Sequence, residues 1–221
     1  MKTILITIAM TLVSFISSAQ LKGSGKTVTK TYDYNNFDKV YFDDLDGKIE
    51  VEVGKPFSVS ITIDDNLINL LSVIEHSGDQ ILTISLKGNI NNRMYIEDTK
   101  IKVKVTLPNI VALKNDSNAS MIVTGISGNY LKIETLNNGS TTLVGKIENL
   151  EVTNTGNGVL NAKQLIVENA KIKASGNGNV YVNVGQLISA RTSGNCTLIN
   201  LGEAKFGSES SSIGNSRFVN N

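Results

Sequence analysis

The chain has 221 residues, with 21 Lys and Arg against 20 Asp and Glu, one His, one Cys and no Trp. A formal charge near zero leaves no electrostatic footprint for nucleic acid; one Cys and one His exclude a disulfide framework, a thiolate zinc site and most histidine-based metal sites. An apolar fraction of 40% is too high for a disordered chain, and the length suits one or two compact domains.

The N-terminus reads as a removable leader. Lys2 is a minimal positive region, and Ile4 to Ile16 is an uncharged apolar run of 13 residues. Ser17-Ser18-Ala19 then places small residues where a signal peptidase reads them. The run is shorter than the ~20 residues of a membrane span. A signal peptide over 1–19 is expected, with an uncleaved anchor as the alternative. No Cys follows the run, so a bacterial lipoprotein acylation site is not expected. Cleavage after Ala19 removes Lys2 and brings the formal charge to zero. No later segment is long and apolar enough to span a bilayer. The expected destination is the periplasm, the outer surface or the medium. Residues 20–36 read as a flexible leader; Gly23-Ser24-Gly25-Lys26-Thr27 echoes a phosphate loop but lacks its first Gly and the preceding strand.

Residues 37–113 read as an N-terminal strand-rich part. Lys48 to Val53, Ser58 to Ile63, Gln80 to Leu86 and Lys100 to Leu107 alternate polar and apolar residues. That period of two with β-branched side chains predicts half-buried strands. Turn signals separate them: Asp46-Gly47, Gly54-Lys55-Pro56, Ser77-Gly78-Asp79 and Gly88-Asn89. Asp65 to Glu75 reads either as one helix or, preferably, as a turn leading into a strand. Pro108 closes the strand before it, because proline donates nothing to a ladder.

From about residue 114 the pattern changes. Of 26 Asn, 18 fall from Asn115 onward. Asn followed by a small residue recurs at Asn118, Asn138, Asn157, Asn177, Asn195 and Asn215, with spacings of 20, 19, 20, 18 and 20. Gly often precedes it: Gly156, Gly176, Gly194 and Gly214. An apolar patch follows each motif (Leu143, Leu160, Val180, Leu198). A second alternating pair comes later, such as Leu150/Val152 or Ile188/Ala190. A fixed period near 20 with all-β content predicts a β-helix-like solenoid with rungs of about 20 residues. One rung cannot bury its own apolar face, whereas stacked rungs bury a continuous column. Gly supplies positive φ at the bend, Asn tolerates it, and stacked Asn side chains can form an amide ladder. Residues 114–221 are therefore expected to hold the regular rungs and a short terminal cap around Phe218 and Val219.

Phe37-Asp38-Lys39-Val40, Leu82-Thr83-Ile84, Leu107-Pro108 and the turns Ser175-Gly176-Asn177-Gly178 and Ser193-Gly194-Asn195 occur in a recognisable order. In this order the chain resembles the bacterial auto-transporter adhesin, head-GIN domain family, over about Phe37 to Asn215. The resemblance implies a right-handed parallel β-helix-like fold, an adhesive role inferred from shape, and no established catalytic residues. Asp116-Ser117-Asn118-Ala119-Ser120 departs from the family turn, which leaves the start of the regular coil open.

Few residues suggest chemistry. His76, beside Gly78 in an expected loop, has no Ser or Asp partner in view and reads as a solvated histidine rather than a base. Cys196 stands where neighbouring rungs carry a turn Gly and reads as a packed small residue. Asp43, Asp44 and Asp46 supply only some of the six to eight oxygens of a calcium site, against a plain acidic turn. Asn-x-Ser/Thr sequons at Asn115, Asn118, Asn138 and Asn195 matter only in a eukaryotic secretory pathway. A polysaccharide-active enzyme would want stacking aromatics and a carboxylate pair. The repeat region offers Tyr130, Tyr181, Phe206 and Phe218, with Glu134, Glu148, Glu151 and Glu168 expected to face outward.

The expected protein is all-β, without metal or cofactor. Its foremost expected role is a non-catalytic interaction module that binds an unknown protein or glycan of the cell surface through an extended strand face. A carbohydrate-binding or carbohydrate-active β-helix is the alternative. A structural envelope scaffold, self-associating end to end, is the third.

Overall fold

The computed structural model describes residues 21–87 and 96–220. The signal peptide expected over 1–19 and the turn expected at Gly88-Asn89 lie outside the described residues.

The first strands are β1 (Leu21–Lys22), β2 (Thr27–Tyr32), β3 (Lys39–Asp43), β4 (Gly47–Val53) and β5 (Ser58–Asp64). A 3-10 turn over Asp65–Leu70 leads into β6 (Leu71–His76), so the stretch read as a turn entering a strand is that. Then come β7 (Ile81–Leu86), β8 (Ile96–Glu97), β9 (Ile101–Leu107), β10 (Ala112–Asp116), β11 (Ser120–Ile126) and β12 (Tyr130–Thr135). Three long strands follow: β13 (Ser140–Gly156), β14 (Val159–Gly176) and β15 (Asn179–Gly194). The chain closes with β16 (Thr197–Asn200), β17 (Ser211–Gly214) and β18 (Arg217–Asn220).

These strands stack as a solenoid. Its first paired column runs β7, β3, β10, β12, then the second halves of β13, β14 and β15, then β17, all parallel. The second column runs β9, β4, β11, then the first halves of β13, β14 and β15, then β16 and β18, also parallel. Ser120 pairs with Ser140, Ser140 with Val159, Asn179 with Thr197 and Thr197 with Arg217, so the rungs advance by 20, 19, 18 and 20 residues. The Asn period of the sequence is the coil length.

Chain order and stacking order disagree near the start. The coil made by β3 and β4 lies between the β7/β9 coil and the β10/β11 coil, both of which come later in the chain. Residues 54–111 are thus an excursion that lays one more coil beneath the first. Antiparallel strands cover that end: β6 on β7, β5 on β9, and β2 on β5. Apart from β8, which pairs with β1 in a separate two-stranded sheet, the strand-rich part over 37–113 and the rungs after it therefore share one sheet and one apolar core.

Alternation sets the core. In β4, Ile49, Val51 and Val53 point inward; in β14, Leu160, Ala162, Leu165, Val167, Ala170, Ile172 and Ala174 do so. Each fully buried Val, Leu or Ile contributes roughly 1.5–3 kcal/mol relative to exposure.

Two expectations need correction. Residues 20–36 are not wholly a flexible leader. Val28 pairs with Ile63 and Thr29 with Thr62 across β2 and β5. The stretch before β2 is fastened by hydrogen bonds that sequence alternation cannot reveal. Buried Asp64 accepts from the Gly25 amide at 2.8 Å and the Lys100 amide at 2.6 Å. Asn66 accepts from the Ser24 amide and donates to the Lys22 carbonyl. The terminal cap expected at Phe218 and Val219 is instead one more turn of the coil, since Arg217 to Asn220 pair in register with Thr197 to Asn200. Phe218 stacks on Phe206 with ring centroids 4.5 Å apart, continuing the apolar column.

Candidate functional site

Each coil from Asn118 onward turns at its Asn. Asn138 donates from Nδ2 to Oδ1 of Asn118 at 3.4 Å, and Asn157 does so to Asn138 at 2.9 Å. Asn177, Asn195 and Asn215 continue the chain at 2.7, 2.7 and 3.0 Å. Each amide is both donor and acceptor, so one side chain per coil links the whole edge. Gly156, Gly176, Gly194 and Gly214 precede the ladder with φ of 108°, 99°, 86° and 79°. A Cβ on Gly176 would also lie 2.3 Å from the Gly156 carbonyl oxygen. Ladder and glycines form a structural seam between two outward sheet faces.

The second column presents hydroxyls and amides. Ser120, Ser140, Val159, Asn179, Thr197 and Arg217 follow one row in register. A parallel row carries Ile122, Thr142, Asn161, Tyr181 and Ile199, and Lys163 Nζ lies 4.2 Å above the Tyr181 ring. At its early end this face turns charged, with Lys48, Lys102 and Lys104 beside Glu50 and Glu52. Lys104 pairs with Glu52 at 2.7 Å, and their hydrogen bond lowers the carboxyl and raises the ammonium from their ordinary values.

The first column is also charged. Lys114 reaches Asp43 at 2.9 Å and Asp116 at 3.2 Å. Burial works against its charged form, but the two carboxylates outweigh it and raise the Lys114 value. On the next coil Lys132 pairs with Glu134 at 2.6 Å, and Tyr130 Oη donates to Glu151 at 2.9 Å. Further along, Lys171, Lys173 and Arg191 stand exposed together, with Lys173 directly opposite Arg191. Shallow depressions of about 260, 150 and 370 Å³ follow one another across this region; the first two share Lys171 and Ser189 as walls, and the last two share Lys173 and Arg191.

The other candidates are now placed. Asp43 is held by Lys114, and Asp44 lies beside it with φ of 56°. Burial first, then the charges of Asp116 and Asp43, raise the Asp44 carboxyl. Asp46 accepts from Thr99 Oγ1 through its backbone carbonyl. Among the described residues, no three His, Cys, Asp or Glu side chains converge as metal ligands. His76 is the exposed last residue of β6, opposite Ile81, rather than a loop residue. Cys196 is buried, which raises its thiol. Glu134 and Glu151 face outward, each engaged by a neighbour on the same face. The group sequence reasoning missed is Lys171, Lys173 and Arg191. Their common outward parity and the 18-residue step that brings Arg191 onto Lys173 were both present in the sequence.

The comparisons agree with this architecture. A solved adhesin-like structure from Bacteroides fragilis, described as a "putative adhesin", matches with a TM-score of 0.64 at 17% identity, covering 90% of this chain and 97% of that one. A structure from Parabacteroides distasonis, described as a "putative lipid binding protein", matches with a TM-score of 0.51 at 18% identity, covering 91% and 99%. Likeness at that identity shows the fold. No curated protein matches. A family model covers residues 36–204, and the chain belongs to the family described as "Putative auto-transporter adhesin, head GIN domain".

Proposed function

We propose that the chain is an exported, adhesin-like, non-catalytic interaction module that binds through the outward strand faces of its solenoid. The observation that supports this best is repetition. Stacked rungs present equivalent side chains every ~4.8 Å, so a contact made on one coil can be made again on the next. Ser120 stacked on Ser140 and the Asn row from Asn118 to Asn215 have this form. Repeated weak contacts along an extended partner multiply into useful affinity. The family description supports adhesion and names no reaction. Export rests on the leader pattern over 1–19, and the partner is a protein or glycan of the cell surface.

The test has two parts. Fractionation of cells making the full chain should place it outside the cytoplasm with its leader removed. The purified mature chain should bind intact cells or isolated envelopes saturably. Retention in the cytoplasm, or no saturable binding to either, would sink this reading.

A carbohydrate ligand is the favoured alternative partner class, because Tyr130 is 45% exposed and Tyr181 sits beneath Lys163 on the other face. Self-association is favoured by a different observation. β17 and β18 each pair on one side only among the described residues, and Ile213 on β17 is 69% exposed. Open strand edges recruit further strands.

A further inference from the structure

The first column follows two charge rules. Its early coils compensate each charge with one of opposite sign: Lys114 bridges Asp43 and Asp116, which lie directly opposite each other, and Lys132 pairs with Glu134. Its later coils set Lys173 directly against Arg191, with Lys171 two residues along the same strand face. Like charges directly opposite each other in a ladder are destabilising. None of the three has an ion pair among the described residues. The one acid in register with Lys171 is Glu151, which is engaged by the Tyr130 hydroxyl.

We propose that Lys171, Lys173 and Arg191, with Tyr130 and Leu187 at one end, form a binding strip for a linear acidic polysaccharide. The strip deepens the interaction-module reading and rests on it. Three features select the ligand. The unpaired cations call for repeated anions, carboxylate or sulfate. Ser175, Ser189 and Ser193 flank them, half-buried, and offer hydroxyls to sugar hydroxyls. Tyr130 and Leu187, 45% and 55% exposed, line the same depression and give an apolar platform for a ring face.

Shape supports a linear chain. The three depressions run along the strand direction from Leu187 to Ser193, a span of ~20 Å at ~3.3 Å per residue. Three cations on a flat hydroxyl-rich face are too few to hold a bilayer by charge. The balanced net charge argues against nucleic acid.

The experiment uses the mature full chain and polygalacturonate, heparin, neutral dextran and phosphatidylserine vesicles at low salt. Polygalacturonate or heparin should bind, and dextran and vesicles should not. The K173Q/R191Q variant should lose about tenfold or more in affinity, as removal of two charge-assisted contacts predicts. Its melting temperature should hold or rise, because the like-charge pair is gone. L187A should weaken polysaccharide binding without changing its salt dependence. Binding of neither polyanion, equal binding by K173Q/R191Q, or preference for the vesicles would overturn the strip. Saturable envelope binding that K173Q/R191Q leaves intact would overturn the strip alone and leave the interaction module standing.

Discussion

The two ends of the solenoid solve the same packing problem differently. The two buried phenylalanines among the described residues, Phe37 and Phe42, lie in the early coils, while buried Leu and Ile occur in both regions. The later coils fill their interior with Ala162, Ala170, Ala174, Ala190 and Cys196 among Val, Ile and Leu. The early coils have antiparallel lids and a stacking order that departs from chain order. The later coils are monotonic and share an amide ladder. Where neighbours in space are far apart in sequence, bulky side chains provide the contacts. Where each coil rests on its predecessor, smaller side chains and repeated hydrogen bonds suffice.

That contrast is broken most severely in the core of the early part. Phe42 is fully buried on β3, between Ile84 of β7 and Asn115 of β10. Phe42→Ala should cost about 3–5 kcal/mol. Because β3 is sandwiched between two coils, the loss should lower one cooperative urea transition. Leu198→Ala, in the penultimate coil, should cost about 2–5 kcal/mol but act locally, since repeat arrays unravel from their ends. Hydrogen exchange should then show β16 and β18 opening while β3 and β9 stay protected. The same global transition for both variants would erase the distinction.

The seam of the later coils is the second point of attack. Gly176 combines a φ of 99° with a backbone oxygen 2.3 Å from where a Cβ would stand. Gly176→Ala should therefore cost about 2–4 kcal/mol, from backbone strain plus displacement of the neighbouring coil. Chemical denaturation measures it, and an unchanged midpoint would show that the coils can separate at the seam without cost.

The sequence made these two regions unequally legible. The coil length and the Asn seam were readable because each coil follows its predecessor in the chain, so packing periodicity became sequence periodicity. The insertion of the β7/β9 coil beneath β3/β4 was not. Alternation tells which side chains point inward, but not that Lys48 will lie between Lys102 and Ser120. The fastening of residues 22–26 was hidden for a similar reason. Asp64 and Asn66 read locally as turn residues, and their partners lie some forty residues away in either direction. The cationic strip needed one more step than parity. Arg191 falls on Lys173 only because that coil is 18 residues long, two short of its neighbours.

The finest test of the comparison is electrostatic, at the junction of the two regions. Asp44 sits where β3 leaves the early part and faces Asp116 and Lys114 of the next coil. Its carboxyl is raised by burial first and then by Asp116 and Asp43. A raised folded-state value means the folded chain binds that proton more tightly than the unfolded chain. Stability should therefore fall as pH rises from the ordinary carboxylate range through the raised value, and stay reduced at neutral pH. Asp44→Asn removes the charge and keeps a residue type that tolerates the left-handed φ of 56°. It should raise the urea midpoint slightly at pH 7, and the gain should vanish below the ordinary carboxylate range, where Asp44 is neutral in both states. A gain that persists at acid pH would assign the effect to backbone preference, whereas a loss at pH 7 would mean that Asp44 holds Lys114 as Asp43 and Asp116 do.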